Sequence, residues 1–281
     1  MEQVQLDGLH HWFDTYVQTY NDIDEEGYRN ILLKVEHTRK VCEIMDILAA
    51  GEGLTGDESR IASAVALLHD VGRFPQYRRW RTFRDSDSDN HARLGIEVLR
   101  QQDVLAGLPT AERLIIEEAV RFHNLLALPL RYKSPTALFI RLIRDADKLD
   151  IWRVFLDYFR QPEELRPSAV TLGFPDLPGV TPACVRELAA GRVIRLEDIR
   201  VLNDFKLLQI SWVYDLNFRT AYRLLQQRGH IQALAETIPF DESAERAIAQ
   251  AVTEIDRQAG AQSLSGPHPL QAGQNTSDAD Q

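Results

Sequence analysis

The chain has 281 residues, of which 44% are hydrophobic and 26% are charged, with a formal net charge of −10 and two cysteines. This composition is typical of a soluble protein with one large domain, or one domain with an appendage. The negative net charge argues against general binding to nucleic-acid phosphates. Two cysteines are too few for a disulfide framework. No apolar run approaches the roughly 20 residues that are needed to span a membrane. Without a secretory pattern at the start, we expect a cytoplasmic protein with no membrane or nucleic-acid partner.

Apolar residues at helical spacing extend through the first 160 residues. Acidic residues in a first turn favour a helix start at residues 55–58, and Pro75 is expected to end regular structure. The segments predicted to be helical lie around His37, from residue 57 to His69, from His91, from Thr110 to His123, and from Pro135 through Phe155. The acidic residues 85–90 are predicted to form a flexible turn that caps the His91 helix.

The second half of the chain begins with a stretch rich in proline and glycine, residues 161–184, which we expect to be a loop. Residues 185–259 are predicted to form a C-terminal helical section packed on the core of residues 1–160, with Gly229 ending one of its helices. Residues 260–281 are polar, and we expect a disordered tail. No alternating strand pattern and no internal repeat occurs, so the periodicity predicts an all-α fold.

The pair His69-Asp70, at the end of an apolar helical run, is the most informative feature of the sequence. Buried polar groups are costly unless another group satisfies them, and a divalent metal satisfies an imidazole and a carboxylate together. Four further residues of these two types adjoin apolar helical sequence: His37, His91, His123 and Asp147. A lone histidine on such a helix is usually a core residue, so the argument depends on the whole set. Its ligand types suit Fe, Mn, Co, Ni or Zn.

The order His, His-Asp, His, His, Asp resembles the HD superfamily of metal-dependent phosphohydrolases, in particular its members with two metals. The resemblance covers roughly residues 30–155 and implies an HD-domain helical bundle with the C-terminal helices appended. It assigns the four signature ligands as His37, His69, Asp70 and Asp147, and the additional pair for a second metal as His91 and His123. Asp70 is then the carboxylate that bridges the metals. The alternative for His91 and His123 is that they are structural histidines at helix ends and bind no metal.

Two carboxylates close to Asp147 in the chain are candidates for orienting a ligand histidine. Asp145 is two positions away and should face elsewhere on the helix, whereas Asp150 is three positions away and lies closer to the same face. We therefore prefer Asp150 for this role.

A basic and aromatic stretch, residues 73–84, directly follows Asp70, so its beginning must lie near the metals. Arginine binds phosphate bidentately and aromatic rings can stack on a base. The residues expected to bind substrate are Arg73, Tyr77, Arg78 and Arg81. The alternative is a solvated loop paired with nearby aspartates. The predicted catalytic residues are Asp70, Arg73 and, as a weaker candidate, Lys148. Asp215 and Arg219 could either pair on the surface or reach over the site.

The resemblance implies an enzyme that cleaves a phosphate ester or anhydride of a nucleotide or related small molecule with a metal-activated water. Its partner would be a small phosphorylated substrate, and a homodimer is left open. Two alternatives remain: a diiron oxygenase on the same scaffold, and a non-catalytic module that senses a nucleotide. No Walker-type glycine-rich loop occurs, which excludes an ordinary kinase or GTPase.

Overall fold

The computed structural model describes residues 1–126, 128, 135–239 and 241–260. All regular structure in these residues is helical, which confirms the all-α prediction. The α-helices in chain order are α1 (Gln3–Gln18), α2 (Glu25–Gly51), α3 (Asp57–Leu68), α4 (Arg73–Trp80), α5 (His91–Gln101), α6 (Thr110–Phe122), α7 (Thr136–Arg160), α8 (Pro182–Ala189), α9 (Leu202–Ser211), α10 (Arg219–Arg228), α11 (His230–Ala235) and α12 (Glu242–Gly260). None of them is long and apolar enough to cross a bilayer.

Helix α7 forms the centre of the bundle, where it packs against α2, α3 and α6. Its buried residues lie on all sides, among them Ile140, Leu149 and Trp152. A helix that is apolar all round must be enclosed by others. The polar residues that α7 carries in its middle, including Asp147, therefore enter the interior of the protein.

Local sequence signals explain where several of these helices begin and end. The Asp24 side chain accepts a hydrogen bond from the Gly27 amide (2.7 Å) at the start of α2. The Asn90 side chain accepts one from the Arg93 amide (3.0 Å), which confirms that residues 85–90 cap the His91 helix. Gly229 has a φ of 63° and ends α10, as predicted.

Four predicted boundaries were wrong. Pro75 does not end regular structure, because it lies in the first turn of α4, where an amide hydrogen has no partner within the helix. Helix α7 begins at Thr136, so Pro135 precedes it. Helix α8 begins at Pro182, inside the segment expected to be a loop. The predicted disordered tail, residues 260–281, began one residue too early, because Gly260 is the last residue of α12; its remaining residues, 261–281, lie outside the described part of the chain.

The C-terminal helices lie beside α7 and α2. Helix α11 packs on α7 and α10 contacts both α7 and α2, while α12 contacts α8 and α10. The Trp152 indole of α7 donates a hydrogen bond to the backbone oxygen of Gln209 in α9 (3.1 Å). This contact brings α9 next to the helix that carries Asp147.

Candidate metal centre

The elements of the bundle bring six predicted ligand side chains into one cluster. They are His37 in α2, His69 at the end of α3, Asp70 just after it, His91 at the start of α5, His123 at the end of α6, and Asp147 in α7. All are buried except Asp147, which is half-buried. Ends of helices supply four of the six, so small shifts between helices would change the ligand geometry.

Asp70 lies between two sets of imidazole nitrogens. Its Oδ2 atom is 3.7 Å from both His37 Nε2 and His69 Nε2. Its Oδ1 atom is 3.6 Å from His91 Nε2 and 3.8 Å from His123 Nε2. Each carboxylate oxygen therefore faces a different histidine pair, which is the arrangement that a bridging ligand requires.

Asp147 completes the first of these two sets. Its Oδ1 atom is 3.0 Å from His37 Nε2 and 3.8 Å from His69 Nε2. Asp145, two residues earlier, faces away and accepts hydrogen bonds from the amides of Asn217 (2.8 Å) and Phe218 (3.0 Å). Burial raises the pKa of Asp145 to about 6. Asp147, and not Asp145, is the carboxylate of α7 at this centre.

Backbone carbonyl groups fix the orientation of two histidines. His69 Nδ1 lies 2.8 Å from the Ala66 oxygen, and His123 Nδ1 lies 2.8 Å from the Val120 oxygen. A carbonyl oxygen can only accept, so each Nδ1 atom carries the hydrogen. The Nε2 atom of each ring then carries a lone pair that faces the centre and can coordinate a metal.

Carboxylates orient the other two histidines. His37 Nδ1 lies 2.8 Å from Asp150 Oδ2, and His91 Nδ1 lies 2.8 Å from Asp85 Oδ2. A carboxylate behind a ligand imidazole raises its basicity and holds its tautomer. The Asp150 contact agrees with the preference for that residue over Asp145. Asp85 was predicted only as part of an acidic turn.

The unpaired nitrogen atoms of this cluster fit a bound cation. His91 Nε2 and His123 Nε2 lie 3.0 Å apart, and burial lowers the pKa of each imidazole to about 4. Both rings are therefore neutral at pH 7 with two lone pairs facing each other, which is repulsive. The buried Nε2 atom of His69 has no hydrogen-bond partner among the described residues, and that of His37 faces the Asp147 carboxylate (3.0 Å). Divalent transition metals would satisfy all four atoms.

Two cations lie beside the bridging carboxylate. Lys34 Nζ donates to Asp70 Oδ2 (2.8 Å), and Arg73 Nε lies 3.5 Å from Asp70 Oδ1. Burial alone would raise the pKa of Asp70, but the charges of Lys34 and of its other neighbours hold it well below its usual range. Sequence reasoning missed Lys34, although it precedes His37 by three residues and so shares its face of α2.

Four residues of the cluster, His37, His91, His123 and Asp147, line a cavity of about 950 Å³, a size typical of small-molecule sites. Cationic side chains lining this cavity are Lys34, Arg73, Arg84, Arg144, Lys148, Arg195 and Arg200. Although the whole chain carries a net negative charge, positively charged side chains predominate around this cavity. A small anion is the ligand that this lining favours.

Of the predicted substrate-binding residues, Arg73 lines the cavity and Tyr77 does not. Tyr77 is 1% exposed, its hydroxyl accepts a hydrogen bond from Asn30 Nδ2 (2.9 Å), and its ring packs on Phe83. It belongs to the core, and this placement corrects the prediction that it contacts substrate.

Arg78 and Arg81 also lie away from the cavity. The Arg78 guanidinium stacks over the Tyr20 ring (4.8 Å), and Arg81 forms an ion pair with Asp24. Because residues 73–80 are helical, each turn carries the chain about 5.4 Å further along the axis. The prediction for these two arginines is corrected as well, because closeness in sequence to Asp70 holds only for the start of α4.

Lys148 meets the C-terminal section at the wall of the cavity. Asp215 Oδ2 accepts from Lys148 Nζ (2.8 Å) and from Arg144 Nη2 (2.6 Å), and Arg144 also donates to the His123 carbonyl (3.2 Å). Arg219 instead donates to the backbone of α12. Of the alternatives left open for Asp215 and Arg219, the structure places Asp215 at the site and Arg219 outside it.

In a comparison with protein families, residues 35–152 match a family model described as the HD domain. The six clustered side chains all fall within the matched range. HD domains form a superfamily of metal-dependent phosphohydrolases. No curated protein and no solved structure matches the chain.

Proposed function

We propose, on the premise that residues 35–152 of this chain are an HD domain, that the protein is a metal-dependent phosphohydrolase. Its substrate would be a phosphate ester or anhydride of a small molecule, with a nucleotide as the leading class. The observation that carries the proposal is the position of Asp70, whose two oxygens each face a different histidine pair. Two bound divalent metals would supply an activated water and neutralise phosphoryl charge.

The protein residues that would hold the metals fall into two groups that share Asp70. His37, His69 and Asp147 complete one group, and His91 and His123 complete the other. The residues behind the histidines hold each ring with Nε2 toward the centre. The second group has one carboxylate fewer, so we expect it to bind its metal more weakly.

Cations beside the centre would bind the substrate phosphate. Arg73 Nη1 donates to the Phe83 carbonyl (2.6 Å) and to Asp85 (3.0 Å), so the guanidinium is held in place before substrate arrives. Its Nε atom is buried without a hydrogen-bond partner in the described chain. Lys148 lines the same cavity and pairs with Asp215. These placements support phosphate binding by Arg73 and Lys148.

The test is phosphate release by protein purified without chelators, with Mn²⁺ or Fe²⁺ added. The substrates are p-nitrophenyl phosphate and a panel of nucleoside mono-, di- and cyclic phosphates. We expect release by the wild type and by a variant of an exposed histidine, His10→Ala, and none by His69→Ala. Oxygen uptake without phosphate release would contradict the proposal in favour of an oxygenase. Nucleotide binding without turnover of any substrate would contradict it in favour of a sensor.

A further inference from the structure

The cationic side chains that line the cavity fall into two sets. Those of the first set form ion pairs with Asp70, Asp85 or Asp215; they are Lys34, Arg73, Arg144 and Lys148. The second set consists of Arg84, Arg195 and Arg200. Arg195 is exposed and pairs with the exposed carboxylate of Glu197 (3.2 Å). The charges of the other two arginines are compensated less well.

Arg84 and Arg200 have weak partners or uncharged ones. Arg84 Nη1 lies 3.4 Å from Oδ2 of Asp87, an exposed carboxylate that does not line the cavity. Arg200 Nη1 donates to the backbone oxygens of Glu197 (2.6 Å) and Ile199 (3.0 Å), and its guanidinium pairs with no carboxylate of the described residues. A long ion pair at an exposed carboxylate stabilises little. Both guanidinium groups therefore remain available to an anion in the cavity.

The segments that carry the two arginines meet beside Phe174. The Arg84 guanidinium lies over the Phe174 ring, 4.5 Å from its centroid. The backbone oxygen of the next residue, Pro175, accepts a hydrogen bond from the amide of Leu202 (2.9 Å), two residues after Arg200. Arg84, Phe174 and Arg200 all line the cavity. The two cations thus enter it from adjoining segments of the chain.

This part of the cavity is spaced from the metal centre along α7. The Phe174 ring packs on Phe205 (5.4 Å between centroids), which packs on Phe155 of α7 (5.5 Å). Phe155 is two turns beyond Asp147, or about 12 Å further along the helix axis. All three rings and Asp147 line the cavity. A ligand that extends along it would meet the metals at one end and the arginines beside Phe174 at the other.

We propose that the cavity binds a small molecule with an anionic group at each end, the first at the metal centre and the second at Arg84 and Arg200. The inference rests on the proposed function for the first group, and it narrows the substrate class to molecules with two separated anionic groups. The second group is a phosphate or a carboxylate, since a guanidinium binds either oxyanion through paired N–H groups. The rings of Phe174 and Phe205 would contact the less polar middle of the ligand.

The experiment measures ligand binding by calorimetry to metal-loaded protein freed of excess metal. The probes share an eight-carbon chain, comparable in length to the spacing along α7; they are octylphosphonate, octane-1,8-bisphosphonate and 8-phosphonooctanoate. Phosphonates resist hydrolysis, so the result does not depend on turnover. We expect a second anionic group to tighten binding about 10-fold relative to octylphosphonate, near the lower end for hydrogen bonds between charged groups because both arginines are partly exposed. The tighter of the two dianionic probes shows whether the second group is a phosphate or a carboxylate.

Substitution of Arg84 tests where the second anionic group binds. Arg84→Gln should remove most of the gain and leave the affinity for octylphosphonate unchanged, whereas Arg84→Lys, which keeps the charge, should retain part of it. A general loss of structure would instead weaken all three probes. Arg79→Gln is the matched control and should bind as the wild type does. Arg79 also lies over an aromatic ring, that of Trp80 (4.5 Å), but does not line the cavity.

Three results would overturn the inference. Equal affinities of the wild type for all three probes would show that no second anionic group is bound, while binding of octylphosphonate at the metals would still uphold the proposed function. A gain that both Arg84→Gln and Arg200→Gln retain in full would place the second group elsewhere. Failure of every probe to bind the metal-loaded wild type would overturn the inference together with the phosphate site on which it rests.

Discussion

Replacing Asp85 by Asn should weaken the binding of one metal of the pair and leave the binding of the other unchanged. Asp85 accepts from His91 Nδ1 (2.8 Å), Arg73 Nη1 (3.0 Å) and Gln76 Nε2 (2.8 Å). Burial would raise the pKa of Asp85, but the hydrogen bond from His91 and the charge of Arg73 keep it below its usual range, so it is an anion at pH 7. The asparagine side chain keeps the shape but loses the charge that raises the basicity of the His91 ring.

The size of the effect follows from that one contact. Loss of a carboxylate behind a ligand histidine typically costs 10- to 100-fold in metal affinity, or about 1.4–2.7 kcal/mol. The assay is isothermal titration calorimetry, in which Mn²⁺ or Zn²⁺ is added to the metal-free protein. The weaker of the two binding steps should shift by that factor, while the step assigned to His37, His69 and Asp147 should not. Asp87→Asn, an exposed aspartate in the same turn, is the matched control.

Two outcomes would refute this reasoning. If Asp85→Asn left both binding steps unchanged, Asp85 would not act on a ligand histidine. If both steps weakened equally, the two histidine pairs would not be separate metal sites, and the division of Asp70 between them would be wrong.

Three further predictions concern the frame of the site. A Cβ at Gly72 would clash with the His91 carbonyl oxygen, so Gly72→Ala should lower the free energy of unfolding by about 2–3 kcal/mol and reduce metal content in mass spectrometry. Arg144→Met removes one of the two cations that pair with Asp215, together with hydrogen bonds to the His123 and Leu125 carbonyl oxygens, and should cost about 1–2 kcal/mol in urea denaturation. Burial lowers the pKa of His230 from 6.5 to about 4; the unfolded chain then binds more protons between these values, so stability falls as pH drops through that window. Because His230 is partly exposed, we expect it to contribute about 1–2 kcal/mol, so the loss of stability should be smaller by that amount in His230→Gln than in the wild type when both are metal-free.

The sequence predicted the side chains of the metal centre because each one belongs to a local pattern. His69-Asp70 ends an apolar run, His91 begins a helix, and His123 ends another. Apolar periodicity places each of them beside the core, whatever the exact packing of the helices. The clustering itself required the structure, as did the division of Asp70 between two histidine pairs.

Contacts between residues far apart in the chain were the hardest to predict. Lys34, which the sequence did not identify, reaches Asp70 from a different helix. Asp215, for which the sequence left two alternatives open, reaches Lys148 from the C-terminal section. Tyr77 shows the opposite error, because closeness in sequence to Asp70 suggested a role that its burial in the core excludes. Contacts of this kind depend on tertiary packing and carry no local signal.

The metal content of the protein shows whether one carboxylate, Asp70, joins two metal sites. Protein purified without chelators, or reconstituted with Mn²⁺ or Fe²⁺, is analysed by inductively coupled plasma mass spectrometry beside Asp70→Ala and the His10→Ala control. We expect about two equivalents of metal in the wild type and in His10→Ala, and a loss at both sites in Asp70→Ala. One equivalent in the wild type, or two retained by Asp70→Ala, would rule out two metal sites that share Asp70.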